Sequence, residues 1–315
     1  MNEATILIGD VRQRLKELPE QSVQCCITSP PYWGLRDYGK EEQIGLEQSP
    51  SEYVSELVKV FDEVWRVLKD DGVLWLNLGD SYAGNNSRAS TNGRAGFGTK
   101  REGVFTKTGD GIKPKDLVGI PWRVAFALQD AGWYLRQDII WSKPNPMPES
   151  VKDRCVKSHE YLFLLAKNKN YYFDHLAIQE PAVDAGTKFI RNNGSGTMEA
   201  RAIGRKTSGN ERPGVVYENK SMRNKRSVWT VAPKPFRGAH FAVMPEALVQ
   251  PCVLASSTEG DTILDPFTGS GTVAVVALAH NRNFIGTELN SEYAMIAEQR
   301  ISSVNPMFNI VSVKQ

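Results

Sequence analysis

The sequence predicts an α/β fold with a mostly parallel sheet, because short β-branched runs alternate along the chain with stretches of helical periodicity. This alternation is typical of βα units, in which crossover helices connect parallel strands. A Gly-rich turn between a strand and a helix, at residues 265–272, supports the same class. The 315 residues, 41% of them apolar, are enough for one large domain or two modest ones with a packed core.

The predicted elements follow this alternation from the N-terminus. Strands are expected at residues 5–9, 23–28, 73–78, 134–141, 161–166 and 262–264, and from residue 284 onwards. Helices are expected at residues 11–18, 49–68, 122–131 and 273–279. The helix at 49–68 carries the clearest signal, since Ser49 and Glu52 fit a capping box around Pro50. Asp70-Asp71-Gly72 is expected to end it.

Composition and cysteine spacing narrow the class of protein. The net charge of +2 is too small to indicate nucleic-acid binding by itself. The cysteines follow neither metal-ligand nor redox-motif spacing and are interpreted as reduced core thiols of a cytosolic protein; they are Cys25, Cys26, Cys155 and Cys252. There is no signal-peptide pattern and no apolar run of the roughly 20 residues that span a membrane. A cytoplasmic protein with neither a metal nor a membrane partner is therefore expected.

Positive charge is concentrated in two segments that interrupt the α/β pattern. Residues 83–115 are rich in Gly, Asn, Ser and Thr and carry seven Lys or Arg residues. Residues 183–228 carry ten Lys or Arg residues against four acidic ones. Loops this long in a compact domain are usually functional or disordered, and their charge suits contact with a phosphate backbone. A solvated basic loop is the alternative for each segment.

The Gly-rich turn belongs to a complete βαβ half at residues 261–288 and indicates a nucleoside-type cofactor. Glu288 follows the first glycine of the turn, Gly269, by about 20 residues, the spacing at which a carboxylate meets ribose hydroxyls. The third glycine of a dinucleotide-binding motif is missing, and Asp265 would repel a pyrophosphate. An acidic residue there suits a ligand that carries an ammonium group and a sulfonium charge, namely S-adenosylmethionine. A ligand-free turn and a nicotinamide-dependent oxidoreductase are the alternatives.

A second motif, Thr28-Ser29-Pro30-Pro31-Tyr32, comes directly after a predicted strand. Two consecutive prolines fix φ twice and remove two backbone donors, which leaves the carbonyl groups of the corner rigid and partly unpaired. The corner is either a chain reversal or a site of hydrogen-bond acceptors.

Together, the two motifs resemble those of the DNA amino-methyltransferases, which modify cytosine N4 or adenine N6. The catalytic motif precedes the cofactor motif, an order similar to that of the permuted β class of this family. Ile8-Gly9-Asp10 resembles the acidic motif of the family, and residues 239–245 resemble the segment that closes over the methionine end. Residues 282–288, with Asn290 and Tyr293, resemble the ribose-binding stretch.

The resemblance implies a Rossmann-like S-adenosylmethionine-dependent methyltransferase fold with helices on both faces of the sheet. A catalytic half at 1–182 would contain the basic loop 83–115, a target-recognition region would occupy 183–228, and a cofactor-binding half would occupy 229–315. Double-stranded DNA is the implied partner, and the family also allows a homodimer and a cognate restriction endonuclease.

The resemblance also implies three groups of site residues. The residues expected to be catalytic are Ser29, Pro30, Pro31 and Tyr32. The residues expected to bind S-adenosylmethionine are Asp10, Thr28, His240, Phe241, Asp265, Pro266, Phe267, Gly269, Ser270, Gly271, Thr272, Glu288 and Leu289. The residues expected to bind DNA are Lys143, Asn145, Arg205, Lys206, Arg223, Lys225 and Arg226. Asp80, His159 and Glu160 remain open between a site role and a polar role at the edge of the core, and Trp33 and Tyr38 between core and pocket wall.

The chemistry of an exocyclic amine explains why a rigid acceptor corner suits this family. Hydrogen bonds from the amine to Ser29 Oγ and to the Pro30 carbonyl would stabilise the charge that develops on nitrogen, and Tyr32 offers a ring for the flipped base. Ser29 favours cytosine N4, because adenine enzymes of the family usually have aspartate at this position. Adenine N6 and a non-catalytic nucleic-acid-binding protein with this fold are the alternatives.

Overall fold

A computed structural model of the chain describes residues 2–35, 37–40, 42–84, 110–183, 188–191, 215–218, 221–233, 243–304 and 309–315, with the backbone alone for 188–191 and 215–218. The chain divides into two compact units. The larger contains residues 1–174 and 226–315, and the smaller contains residues 175–225.

The described strands are β1 Asn2–Ile8, β2 Val23–Thr28, β3 Leu68–Leu78, β4 Tyr134–Ser142, β5 His159–Ala166, β6 Glu180–Pro181, β7 Lys188–Arg191, β8 Val215–Glu218, β9 Met222–Arg223, β10 Val228–Thr230, β11 Thr262–Asp265, β12 Asn283–Glu288 and β13 Asn309–Lys314. Nine of them form one sheet in the order β10-β4-β5-β3-β2-β11-β12-β1-β13. Only β5 runs antiparallel to its neighbours among these nine described strands. The mostly parallel sheet is confirmed.

The described helices are α1 Val11–Arg14, α2 Pro50–Val67, α3 Ile120–Asp130, α4 Glu246–Ser256, α5 Thr272–Ala279 and α6 Ser291–Ser302. A 3-10 turn, Leu15–Glu17, extends α1. Helix α2 starts with the predicted capping box: Ser49 Oγ accepts from the Glu52 N–H, and Glu52 Oε2 accepts from the Ser49 N–H. These bonds satisfy two backbone donors that would otherwise be unpaired at the helix start.

Both faces of the sheet are covered by helices, as the resemblance implied. Leu74, Leu76 and Leu78 of β3 lie in one buried cluster with the apolar faces of α2 and α3. Trp75 points to the opposite face, where its indole N–H donates to Ser256 Oγ of α4 at 2.7 Å. This alternation follows from the two-residue period of a strand.

Two expectations about local structure are wrong. Asp70-Asp71-Gly72 does not end the preceding helix but lies inside β3, where the pairing with β2 jumps from Leu68 to Val73. The extra residues form a bulge that leaves the Asp71 side chain exposed to solvent and the Asp70 side chain 71% exposed. Cys155 is also exposed, in the loop between β4 and β5, whereas the other three cysteines are buried as expected.

The smaller unit is described through two short antiparallel pairs, β6 with β9 and β7 with β8. Within the described ranges, no helix combines the length and the apolar surface needed to cross a lipid bilayer. The same residues contain no group of three or more His, Cys, Asp or Glu side chains placed to hold a metal ion.

The order of the strands places the functional motifs side by side. Strands β2 and β11 are neighbours, although β2 leads into α2 on one face and β11 leads into α5 on the other. Open α/β sheets bind ligands at such a switch point, beyond the carboxyl ends of the strands. Thr28 and Asp265 are the last residues of these two strands.

Candidate active site

A cavity of about 270 Å³ lies at the carboxyl edge of the sheet and is lined by both predicted motifs. Ser29, Pro30, Pro31 and Tyr32 form one part of its wall, and residues 265–270 with Thr272 form another. The tertiary structure therefore brings the acceptor corner and the Gly-rich turn to one site.

Asp265 is a buried carboxylate held by two hydrogen bonds to one oxygen. Its side chain Oδ1 accepts from Thr28 Oγ1 at 2.6 Å and from the Phe267 N–H at 3.0 Å. The residue is 3% exposed, and this burial raises the pKa of its carboxyl to about 7. A cationic ligand group beside Asp265 would compensate for the desolvation and favour its charged form.

The Gly-rich turn is fixed by backbone conformation and by close contacts from two other elements. Gly269 and Gly271 have φ values of 52° and 75°, a region that disfavours side chains. Arg300 of α6 donates to Thr272 Oγ1 at 2.9 Å. Gly286 of β12 lies so close that a Cβ there would be 2.1 Å from Thr268 Oγ1. Arg300 carries no sequence signal of this role, whereas the role of Gly286 could have been found, since a glycine inside a predicted strand signals such a close approach.

Glu288 is the last residue of β12 and also lines the cavity. Its Oε2 accepts from the Gly269 N–H at 2.8 Å, and its Oε1 accepts from the Asn290 N–H at 2.9 Å. Burial raises the pKa of its carboxyl. Each oxygen retains acceptor capacity, so Glu288 can still bind hydroxyl groups of a ligand.

A polar and aromatic wall continues the cavity beside Glu288. Asp10 lines it and is also the N-cap of α1, with its carboxylate bound to the Arg12 guanidinium. Tyr38 and Tyr293 line it with their rings edge to face at 6.5 Å. Tyr38 therefore belongs to the pocket wall. Trp33 belongs to the core, where its indole N–H donates to the Glu47 carbonyl.

The acceptor corner is rigid because its neighbours hold it. Tyr53 of α2 donates from its hydroxyl to the Pro31 carbonyl at 2.9 Å. Gly79, which follows β3, leaves just enough space for the Tyr32 ring, since a Cβ there would lie 2.6 Å from the ring. Ser29 Oγ donates to Tyr32 Oη at 3.3 Å.

A polar network lies behind this corner at the start of β5. Tyr32 Oη donates to Glu160 Oε2 at 2.8 Å, and Asn77 Nδ2 donates to the same oxygen at 3.3 Å. Lys143 forms an ion pair with Glu160 Oε1, and its ammonium lies 4.2 Å from the centre of the Trp141 ring. Burial, together with the charge of Glu160, raises the pKa of the Tyr32 hydroxyl well above its usual value. Glu160, left open by the sequence, therefore belongs to the site.

The remaining predicted residues lie in several environments. The residues that line the cavity include Pro266, Phe267, Ser270 and Leu289, whereas Thr28 and Gly271 are not among them.

The residues predicted to bind DNA lie in several environments. Asn145 is exposed, and Arg223 forms an ion pair with Glu180 at 3.0 Å. Lys225 is half-buried and Arg226 is exposed. His240, Phe241, Arg205 and Lys206 lie outside the described residues, although the neighbouring Val243 and Met244 line the cavity.

Two other open residues have structural environments. Asp80 caps α3, because its Oδ1 accepts from the N–H groups of Gly119 and Ile120. His159 packs against Tyr161 with the two rings nearly perpendicular, and it is not among the residues that line the cavity.

The donor set of the cavity fits S-adenosylmethionine. Asp265 provides a buried carboxylate for an ammonium group, Glu288 provides acceptors for ribose hydroxyls, and the left-handed glycines allow a ligand to approach the backbone closely. The buried carboxylate of Asp265 and the half-buried one of Glu288 both line the cavity and disfavour a pyrophosphate, because like charges repel more strongly where water is scarce.

Comparison with known proteins agrees with this chemistry. A family model described as DNA methylase matches residues 23–299. The chain is 48% identical to the Type II methyltransferase M.Cfr9I of Citrobacter freundii over 308 residues, which cover 96% of this chain and 88% of that protein. It is 44% identical to the Type II methyltransferase M.SmaI of Serratia marcescens over 303 residues, which cover 96% of this chain and 91% of that protein.

Solved structures show the same fold at lower sequence identity. A putative DNA modification methylase of Thermus thermophilus, in complex with S-adenosyl-L-methionine, matches with a TM-score of 0.62 and 22% identity, covering 99% of this chain and 98% of that one. The PvuII DNA methyltransferase, described as cytosine-N4-specific, matches with a TM-score of 0.62 and 19% identity, covering 100% and 95% of the two chains. The Rossmann-like methyltransferase fold is thereby confirmed.

Proposed function

The chain belongs to the N6/N4 DNA methylase family, whose methyl donor is S-adenosylmethionine, and from this premise we propose that it methylates cytosine N4 in double-stranded DNA. The observation that carries the proposal is the cavity shared by Ser29 and Asp265. Both residues line this cavity, which supports Ser29 as the hydrogen-bond acceptor for the amine and Asp265 as the carboxylate for the cofactor.

The acceptor corner supplies positioning and electrostatic stabilisation. When bound, S-adenosylmethionine supplies a methyl group activated by its sulfonium charge. Ser29 Oγ and the Pro30 carbonyl accept hydrogen bonds from the target amine, which stabilises the positive charge that develops on nitrogen. The Tyr32 ring provides a surface for a base flipped out of the duplex. No covalent enzyme intermediate is required, so catalysis rests on geometry and preorganised dipoles.

Cytosine is preferred because a hydroxyl, Ser29, occupies the first position of the corner. In the family that this chain resembles, aspartate is usual at this position among adenine enzymes, and Ser-Pro-Pro-Tyr is more typical of cytosine enzymes. The identity of this residue is the support for cytosine N4 over adenine N6.

A role in a restriction-modification system is part of the proposal, since M.Cfr9I and M.SmaI are named Type II methyltransferases. A cognate restriction endonuclease would cut the same sequence that this enzyme protects. We propose that the basic residues of 83–115 and 183–228 contact the DNA, because this contact neutralises phosphates. Asp265 and residues 269–272 would hold the methionine portion of the cofactor, Glu288 the ribose and Asp10 the adenine end.

The base is tested by incubating the protein with unmethylated genomic DNA and methyl-labelled S-adenosylmethionine, followed by digestion to nucleosides. Labelled 4-methylcytosine is expected. Labelled 6-methyladenine would assign the enzyme to the other base. Absence of any labelled nucleoside would contradict the proposed activity. Ser29→Ala serves as the control variant, because it should bind the cofactor normally and transfer little label.

A further inference from the structure

We infer that Glu160 is a positioning residue that fixes the direction of a hydrogen-bond chain through Tyr32 to Ser29, so that Ser29 Oγ faces the target amine as an acceptor only. This inference rests on the proposed transfer to an exocyclic amine in the same cavity. It concerns residues at the ends of β2, β4 and β5 that no sequence motif connects.

The first hydrogen bond of this series is donated by Ser29. A serine hydroxyl has one hydrogen and two lone pairs, so it can meet an amine either as a donor or as an acceptor. In the structure Ser29 Oγ lies 3.3 Å from Tyr32 Oη, with Ser29 as the donor. Because that hydrogen is used in the bond to Tyr32, Ser29 Oγ can act toward the cavity only as an acceptor, through its lone pairs.

Tyr32 can accept from Ser29 because its own hydrogen is directed elsewhere. Its hydroxyl donates to Glu160 Oε2 at 2.8 Å, the nearer and charged of its two acceptors, while Asn77 Oδ1 lies at 3.3 Å. Hydrogen bonds to a charged acceptor are roughly twice as strong as neutral ones. Glu160 therefore decides which way the Tyr32 hydroxyl points.

Two further side chains, those of Lys143 and Asn77, fix the orientation of the Glu160 carboxylate. Lys143 binds its other oxygen, and Asn77 Nδ2 donates to Oε2 at 3.3 Å while also donating to the Tyr161 carbonyl at 3.1 Å. Both partners of the ion pair are largely buried, with side-chain exposures of 18% and 14%. A carboxylate in such a setting keeps its orientation, because low exposure strengthens its hydrogen bonds.

The arrangement explains how a neutral serine can support methyl transfer from this position. A hydroxyl free to rotate would spend part of its time donating toward the amine, which opposes the charge that develops there. The hydrogen bonds from Ser29 to Tyr32 and from Tyr32 to Glu160 prevent the serine hydroxyl from donating toward the amine before the reaction begins. The acceptor is therefore preorganised. It also assigns Lys143 to holding Glu160.

The inference is tested by a double-mutant cycle of Glu160→Gln and Tyr32→Phe on the full chain, with single-turnover transfer of labelled methyl groups to unmethylated genomic DNA. Glu160→Gln is expected to lower the transfer rate about 10- to 100-fold in the parent. Because Glu160 acts through the Tyr32 hydroxyl, the same change should cost less than about threefold in the Tyr32→Phe background. Cofactor affinity and KM for DNA should stay within about threefold.

Glu149→Gln is the matched control, since Glu149 pairs with Arg154 in the loop before β5. It should leave the rate within about twofold of the parent. Equal losses for Glu160→Gln in both backgrounds would assign Glu160 a merely structural role and overturn the inference. If Glu160→Gln does not fold, Tyr32→Phe alone decides, because a rate within twofold of the parent would show that the hydroxyl chain is dispensable.

The outcomes separate this inference from the proposed function. A parent that forms 6-methyladenine overturns the proposed base, while the cycle still tests the hydrogen-bond chain. A parent that forms 4-methylcytosine together with a fully active Glu160→Gln variant overturns the inference alone. A parent that transfers no methyl group overturns both.

Discussion

Thr28 Oγ1 donates a hydrogen bond of 2.6 Å to Asp265 Oδ1, although 237 residues separate the two in the sequence. The bond joins the ends of β2 and β11, so it connects the acceptor corner directly to the Gly-rich turn. Both side chains are buried, where a hydrogen bond to a carboxylate is stronger than at the surface.

Replacement of Thr28 by valine should weaken cofactor binding. Valine keeps the shape of threonine but leaves the Asp265 carboxylate with one donor fewer, which makes its charged form less stable. We expect the dissociation constant for S-adenosylmethionine to rise about tenfold in calorimetric titrations at pH 8. Thr5→Val is the control, since Thr5 bonds to Ser312 at the far edge of the sheet. Equal affinities in Thr28→Val and the parent would contradict this coupling.

Cofactor binding should depend on pH through Asp265. Burial raises the pKa of this carboxyl from 3.8 to about 7, so the cofactor-free site is largely protonated below that pH. Affinity should therefore fall as the pH decreases from about 8 to 6 in calorimetric titrations, because an ammonium group prefers the charged carboxylate. Asp265→Asn should bind weakly and show little pH dependence over this range. A parent with constant affinity would remove Asp265 from the binding site.

The same shift has an opposite consequence for the stability of the cofactor-free protein. A carboxyl whose pKa is higher in the folded state contributes stability that is complete below its unfolded pKa of about 4. That contribution is lost as the pH rises to about 7. Thermal melting of the parent and of Asp265→Asn should thus diverge between these two pH values, with the parent losing stability relative to the variant as the pH rises. Parallel melting curves across the range would show that the carboxyl titrates alike in the folded and unfolded chains.

Gly286→Ala should disrupt the Gly-rich turn through a steric clash with Thr268. The new Cβ would lie 2.1 Å from Thr268 Oγ1 and 2.6 Å from the Phe284 ring, and neither the turn nor the buried ring can yield easily. We expect a loss of about 1–3 kcal/mol in the free energy of unfolding, measured by urea denaturation, together with weaker cofactor binding. A variant with parental stability would show that β12 can move away from the turn.

Gly79→Ala should affect the acceptor corner without affecting the cofactor turn. A Cβ at this position would lie 2.6 Å from Cε2 of Tyr32 and would displace the ring from its place beside Glu160. The expected result is a drop in kcat of at least about tenfold, because small misplacements at a catalytic centre are costly. Affinity for S-adenosylmethionine, measured in parallel, should remain near the parental value. An unchanged kcat would show that the ring position does not limit the rate.

The sequence by itself determined the features that depend on local spacing. The capping box of α2, the βαβ half at 261–288 and the rigid corner at 28–32 are short motifs, and each contains the residue types that its geometry requires. The corner and the Gly-rich turn predicted the cofactor and the class of reaction through their resemblance to a known family, to which the chain belongs. Their partnership was inferred from resemblance, since periodicity indicates which face a residue occupies but not which strand lies beside it.

The tertiary structure decided which distant side chains meet. Glu160 reaches the acceptor corner only because β5 runs antiparallel between β3 and β4, which brings its amino end to the carboxyl edge of the sheet. Lys143 meets it there because it follows the carboxyl end of β4. Gly79 and Gly286 matter because of a ring and a hydroxyl contributed by other elements. Such contacts depend on strand order and register, which are set by the packing of the whole sheet against its helices, and no local pattern specifies them.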